Sequence, residues 1–258
     1  MKIVCASSYE EIKEIANQCS FQAENAVFYR GTSNLLVPSI IEKCSFNSYA
    51  DVVAKEHFLL DDFKKYSHIK YEFIEQVAKD WEIRIAAREH GLASSLMDWS
   101  NSLDTALEFA IYHFESKKID FTSLWILNKS EINQITVSAE MEKKNSFKEL
   151  SCSSIIQFAK YNESTYLRRK FIQGGYFLFQ TPQEVIIPLE KNPIFSERLV
   201  HIIIPKNVVS DIWKQIASKV NMDLDACPSF GNSERALDEK CNELNQTFCY
   251  KSLIKLIP

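Results

Sequence analysis

Helical periodicity dominates the first half of this chain and short apolar runs dominate the second, with no regular alternation between them. That order predicts an α+β fold, because a doubly wound sheet needs strands and helices to alternate. Ser8 and Glu11 carry a capping-box pattern, and Ile12, Ile15, Ala16 and Cys19 recur behind them at helical spacing. Further helices are expected over 51–66, 69–90 and 104–114, the second ending at Gly91 as a C-cap does. Short strands are expected at 26–29 and 121–127, with an extended passage at 92–99. Beyond a polar stretch at 128–145 the pattern predicts a helix at 153–161, then strands at 172–179, 185–189 and 199–204. Helices at 206–220 and 233–245 flank an irregular passage at 223–231. The expected arrangement is N-terminal helices packed on a mixed or antiparallel sheet.

The chain has 258 residues, 46% of them hydrophobic, which is enough for one large core. One domain over 1–258 is expected, its core at about 24–230, with a surface insertion at 128–150 and an acidic segment at 222–245. The net charge of −4 belongs to that segment, where Asp223, Asp225, Glu234, Asp238, Glu239 and Glu243 face only Arg235 and Lys240. The remainder is balanced, so no broad basic face for gripping a nucleic-acid backbone is implied. Seven cysteines, with no paired ligand spacing, suggest free thiols in a reducing cytosol rather than a zinc site. No run is apolar enough to span a membrane and the first residues lack an apolar leader, so a cytoplasmic protein is expected.

Four places concentrate chemistry. Tyr29-Arg30-Gly31-Thr32 ends an apolar strand with a guanidinium and a glycine, a set suited to an anionic group, although an exposed strand-end arginine looks the same. Glu89-His90-Gly91 and Asp98-Trp99-Ser100 lie within twelve residues; His90 at a helix C-terminus and Asp98 or Ser100 as a helix cap are the structural alternatives. Gln173-Gly174-Gly175-Tyr176 suits either a site or a β-bulge. Glu184 stands at the start of an expected strand, as a ligand-facing or a solvated carboxylate. No P-loop, zincin, serine-hydrolase or Rossmann motif occurs.

Taken in order, Tyr29-Arg30-Gly31, Leu36 with Pro38-Ser39, Trp81-Glu82, Arg88-Glu89-His90-Gly91-Leu92, Leu96 to Ser100, and Ala106-Leu107 with Phe109-Ala110 resemble the FRG domain. That bacterial and phage-associated family is named for its Phe/Tyr-Arg-Gly start, and the resemblance runs over about 24–230. Glu89 stands where the family usually has glutamine, and Cys227 to Gly231 departs from an acidic stretch expected there.

The resemblance implies an ADP-ribosyltransferase-like layout with a split sheet and NAD as substrate, without a metal. In that reading Arg30 holds a phosphate, Gly31 and Thr32 offer backbone and hydroxyl groups, and Tyr29, Trp99 or Tyr176 stack on a ring, beside Ser100. Glu184 stabilises positive charge on the ribose, while His90, Asp98 and Gln173 orient the substrate or the acceptor. The implied function is transfer of ADP-ribose to RNA or protein by an intracellular toxin or phage-defence effector, with an antitoxin or chaperone as partner. Two other readings stay open. One is a non-catalytic module in which Arg30, His90 and Trp99 bind a nucleotide or partner. The other is a metal-independent ribonuclease using His90 with His113 or His57.

Overall fold

The structure, a computed structural model, describes residues 1–22, 27–32, 36–68, 80–117, 120–137, 152–158, 175–216 and 239–246. Eight strands form a mixed sheet: β1 (Lys2–Cys5), β2 (Val27–Thr32), β3 (Leu96–Ser100), β4 (Phe121–Asn128), β5 (Asn133–Val137), β6 (Ser154–Phe158), β7 (Gly175–Phe179) and β8 (Leu199–Pro205). Their order is β1-β8-β4-β2-β3-β7-β6-β5, parallel at β1/β8 and β5/β6 and antiparallel elsewhere. The helices are α1 (Tyr9–Gln22), α2 (Ser39–Lys43), α3 (Tyr49–His68), α4 (Asp80–Glu89), α5 (Leu103–Lys117), α6 (Pro193–Ser196) and α7 (Lys206–Ile216), and 239–246 is also helical. The α+β expectation holds. None of the described helices is long and apolar enough to cross a membrane.

The ladder thins at the middle of the sheet. β4 pairs with β8 from Phe121 to Leu127 and β2 with β4 from Val27 to Thr32, yet among the described residues β2 meets β3 through Tyr29 and Ser100 alone. The sheet is therefore two four-stranded halves joined by one bridge, and a break in the ladder is where side chains from both halves can converge.

Three cores hold these halves. Val27, Tyr29, Leu124, Ile126, Ile202 and Ile204 pack beneath α1, α5 and α7. Gly31 shows how tightly, since a Cβ there would collide with the Ala106 carbonyl oxygen and the Ala110 amide of α5. A second core joins α2, α3 and α4 to Cys241 and Leu244 of the 239–246 helix. The third is aromatic and lies on the opposite side of β2: Phe28, Trp99, Trp125, Leu127 and Leu178, closed by Leu36, Leu189 and Phe195. Strand alternation carries Arg30 to the side of Phe28, away from Tyr29.

Helix starts follow their sequence signals. The Ser8 hydroxyl accepts from the Glu11 amide at 3.2 Å, while the Glu11 carboxylate reaches back to the Ser7 amide at 2.7 Å. Ser102, not Asp98 or Ser100, stands before α5 and accepts from the Thr105 amide at 3.2 Å.

Some expectations fail. The helix expected over 153–161 is β6 where described, with Ile155 and Ile156 buried between β5 and β7. The strand expected at 185–189 is a series of turns, in which the Thr181 carbonyl accepts from the amides of Glu184 and Val185. β1 was not expected at all, and β5 arises inside the polar stretch. Cys44 is disulfide-bonded, contrary to the free thiol expected; Cys5, Cys19 and Cys152 are free thiols. The 223–231 passage, most of the polar 128–150 stretch and most of the acidic 222–245 stretch lie outside the described residues.

Candidate functional site

The break between β2 and β3 gathers charge. Arg30, near the end of β2, donates from Nη1 to the Asp98 carbonyl oxygen of β3. The Asp98 carboxylate in turn lies 2.6 Å from Nη2 of Arg88, in the last turn of α4. Lys43, at the end of α2, donates to the Gly91 carbonyl at 3.0 Å. Gly91 has φ of 82°, the left-handed conformation that ends a helix with least strain in glycine.

The 239–246 helix pins the same turn. Asn245 accepts from the Ala93 amide at 2.8 Å and donates to the Gly91 carbonyl at 2.9 Å. A helix remote in sequence thus fixes the connection that carries Asp98.

Cations prevail here. The charged groups acting on Arg30 are Asp98, Arg88 and Glu42, while Lys43 feels Arg88 and Glu42. Burial lowers the pKa of both Arg30 and Lys43, Arg88 lowers them further, and the neighbouring carboxylates oppose the shift. Both groups start from high values, so an anion entering this site meets positive charge.

Several buried donors here lack an acceptor: Nε of Arg30, Nε of Arg88, and the indole N–H groups of Trp99 and Trp125. Trp125 is the direct cross-strand partner of Arg30, and it shares the aromatic core with Trp99. An unmatched buried donor costs roughly 1–3 kcal/mol, so such a group calls for a partner. On its other side Trp125 stacks on His201, ring centroids 3.9 Å apart and 2° from parallel. His201 Nε2 lies 2.8 Å from the Ser123 hydroxyl, and burial lowers the imidazole pKa.

The sequence-derived candidates divide by location. Arg30 meets the Asp98 carbonyl, and Trp99, next along β3, lies in the aromatic core on the Arg30 side of the sheet. Ser100 is buried beside them, its hydroxyl accepting from the Ser102 amide at 3.0 Å. Tyr176 is partly buried against the aromatic core, its ring centroid 4.3 Å from that of Phe28. Tyr29 lies in the helix-side core, where burial raises its hydroxyl pKa, so its ring is removed from the Arg30 side. Gly31 abuts α5 and Thr32 is buried. His90 follows α4, its amide bonded to the Ala86 carbonyl and its ring 6.4 Å from that of Phe63. His57 lies on α3, and the side chain of His113 and all of Gln173 fall outside the described residues.

Glu184 differs most from expectation. It sits in a turn, where its carboxylate accepts from the hydroxyls of Ser153 and Thr181, the latter at 2.8 Å. It is not among the charged groups acting on Arg30. Among the described residues, no group of three or more histidine, cysteine, aspartate and glutamate side chains is placed to hold a metal.

Sequence reasoning missed Trp125, Arg88 and Lys43 as site residues. Trp125 reads as core in an apolar strand, and only the β2/β4 register puts it opposite Arg30. Arg88 stood inside a recognised motif without a role. Lys43 carried no signal.

No curated protein and no solved structure matches the chain. Residues 25–118, spanning β2 through α5 and hence Arg30, Arg88, Asp98 and Trp99, match the family model of the FRG domain.

Proposed function

We propose that the chain binds NAD at Arg30 and transfers its ADP-ribose to RNA or protein, as an intracellular toxin or phage-defence effector. The observation that carries this reading is the set of buried, unmatched N–H donors on Arg30, Trp99 and Trp125 at the break in the sheet. Donors of this kind, beside Arg88 and Lys43, suit the pyrophosphate of a dinucleotide. In the reaction the bond between nicotinamide and C1′ of the ribose breaks, an acceptor atom bonds to C1′, and the acceptor loses a proton. Positive charge develops on the ribose, and Glu184 is the carboxylate assigned to it, with Ser153 and Thr181 setting its orientation. His90 and Gln173 position the acceptor, and an antitoxin or chaperone restrains the activity in the cell.

A second reading, a binding module without chemistry, is favoured by one observation. Near Arg30 the Asp98 carboxylate is paired with Arg88, and Glu184 is held by its own turn. NAD labelled in its adenylate, incubated with the full chain and with RNA or protein acceptors, separates the two. Label in an acceptor, lost in Glu184→Gln and Arg30→Met, supports transfer. Saturable NAD binding that needs Arg30, with NAD left intact, supports the module. Absence of both transfer and binding overturns the assignment of NAD to this site.

A further inference from the structure

A cavity of about 230 Å³ lies between α3, α4 and the turns that follow β7. Val52, Val53, Phe179 and Val185 supply apolar walls, and none of its lining residues is among the charged groups acting on Arg30. It is too small for a dinucleotide, falling below the usual range of about 300–1,000 Å³ for drug-sized ligands, but has room for one ring or two fused rings.

Its buried carboxylate and guanidinium pair with each other. Glu56 accepts from the Ser94 hydroxyl at 3.1 Å, the Ser95 amide at 2.7 Å and the Ser95 hydroxyl at 2.9 Å, and it pairs with Arg84 at 2.5 Å. The Glu56–Arg84 pair carries no net charge, which favours a neutral occupant over an ion. Gln180 is different. It is 1% exposed, and its Nε2 donates to the Glu184 carbonyl at 3.2 Å and the Ile187 carbonyl at 3.5 Å, but its Oε1 has no partner. A ligand N–H relieves the roughly 1–3 kcal/mol cost of that bare acceptor. His57, the partly exposed polar side chain of the lining, adds a second hydrogen-bonding group.

We propose that this cavity binds a small, neutral, planar ring compound carrying an N–H2 group, with Gln180 Oε1 as its acceptor. The proposal is independent of the reading at Arg30. Nicotinamide and adenine carry the required chemistry on one and on two rings. Nicotinate, with a carboxylate in place of the amide, is the control.

In methyl NMR spectra of the full chain, saturable shifts at Val52 and Val185 are expected with nicotinamide or adenine, and nicotinate should bind about tenfold more weakly or worse. Val53→Phe, at a partly exposed wall position, should abolish the response, whereas Arg30→Met should keep it. Equal responses to nicotinamide and nicotinate, or no saturable shift with either neutral probe up to about 10 mM, would overturn the proposal. So would a response that Arg30→Met removes and Val53→Phe leaves intact. The comparison on the unmodified chain stands whether or not either variant folds.

Discussion

At the scale of single residues, the sequence-derived reading is a local one. Asp98 and Trp99 share β3, which follows the Gly91 helix end closely, whereas Arg30 reaches the Asp98 carbonyl from 68 residues away. The reading failed where the role depends on a distant partner, as with Trp125 opposite Arg30 and Asn245 holding the Gly91 turn. Glu108 adds a feature that no motif announces. It is buried on α5, its Oε2 has no partner, and burial followed by the nearby Asp104 pushes its carboxyl up to about 7 from 4.5. The folded protein therefore holds this proton more tightly than the unfolded chain does. As pH rises from about 4.5 through about 7 the unfolded carboxyl ionises first and stability falls, reaching a plateau above that range. Glu108→Gln should match the parent protein below about pH 4.5 and exceed its unfolding free energy by about 1–3 kcal/mol at pH 8, read by urea denaturation across pH. A gap that stays constant with pH would contradict this.

At the scale of elements, the errors have physical causes. Ile155, Ile156 and Phe158 have spacing that fits a helix as well as a strand, and only the nonlocal ladders to β5 and β7 decide between them. The stretch at 185–189 looks like a buried strand, yet Ile186 and Ile187 are exposed at 39% and 36%, and Pro182 and Pro188 flank a turn. What positions β3 is a buried network that the sequence did not disclose. Burial pushes the Glu56 carboxyl up, but Arg84 and the Ser95 amide and hydroxyl outweigh that and hold it below the ordinary range. Glu56 thus ties the start of β3 to both α3 and α4. Glu56→Gln leaves the Arg84 guanidinium buried without its counter-charge, so stability should drop by about 3–5 kcal/mol. Glu56→Gln combined with Arg84→Met should recover a large part of that loss, measured by chemical denaturation. A double variant no more stable than the single one would contradict the ion-pair account.

At the scale of the whole molecule, the α+β class was legible because helical and strand patterns are segregated along the chain. The order of the sheet was not, since β1 pairs with β8 across a separation of 198 residues, Lys2 against Val200, and neither strand signals the other. The Cys44 disulfide was equally illegible from spacing. The architecture leaves one place where two half-sheets meet through a single bridge, and there cations and unmatched N–H donors face the break. The central claim is that a dinucleotide supplies their acceptors. A crystal structure of the full chain with a non-cleavable NAD analogue tests it most directly: the pyrophosphate should lie within hydrogen-bonding distance of Arg30 Nε and the Trp125 indole N–H. An analogue bound away from β2 and β4, with those two donors still unmatched, would contradict it.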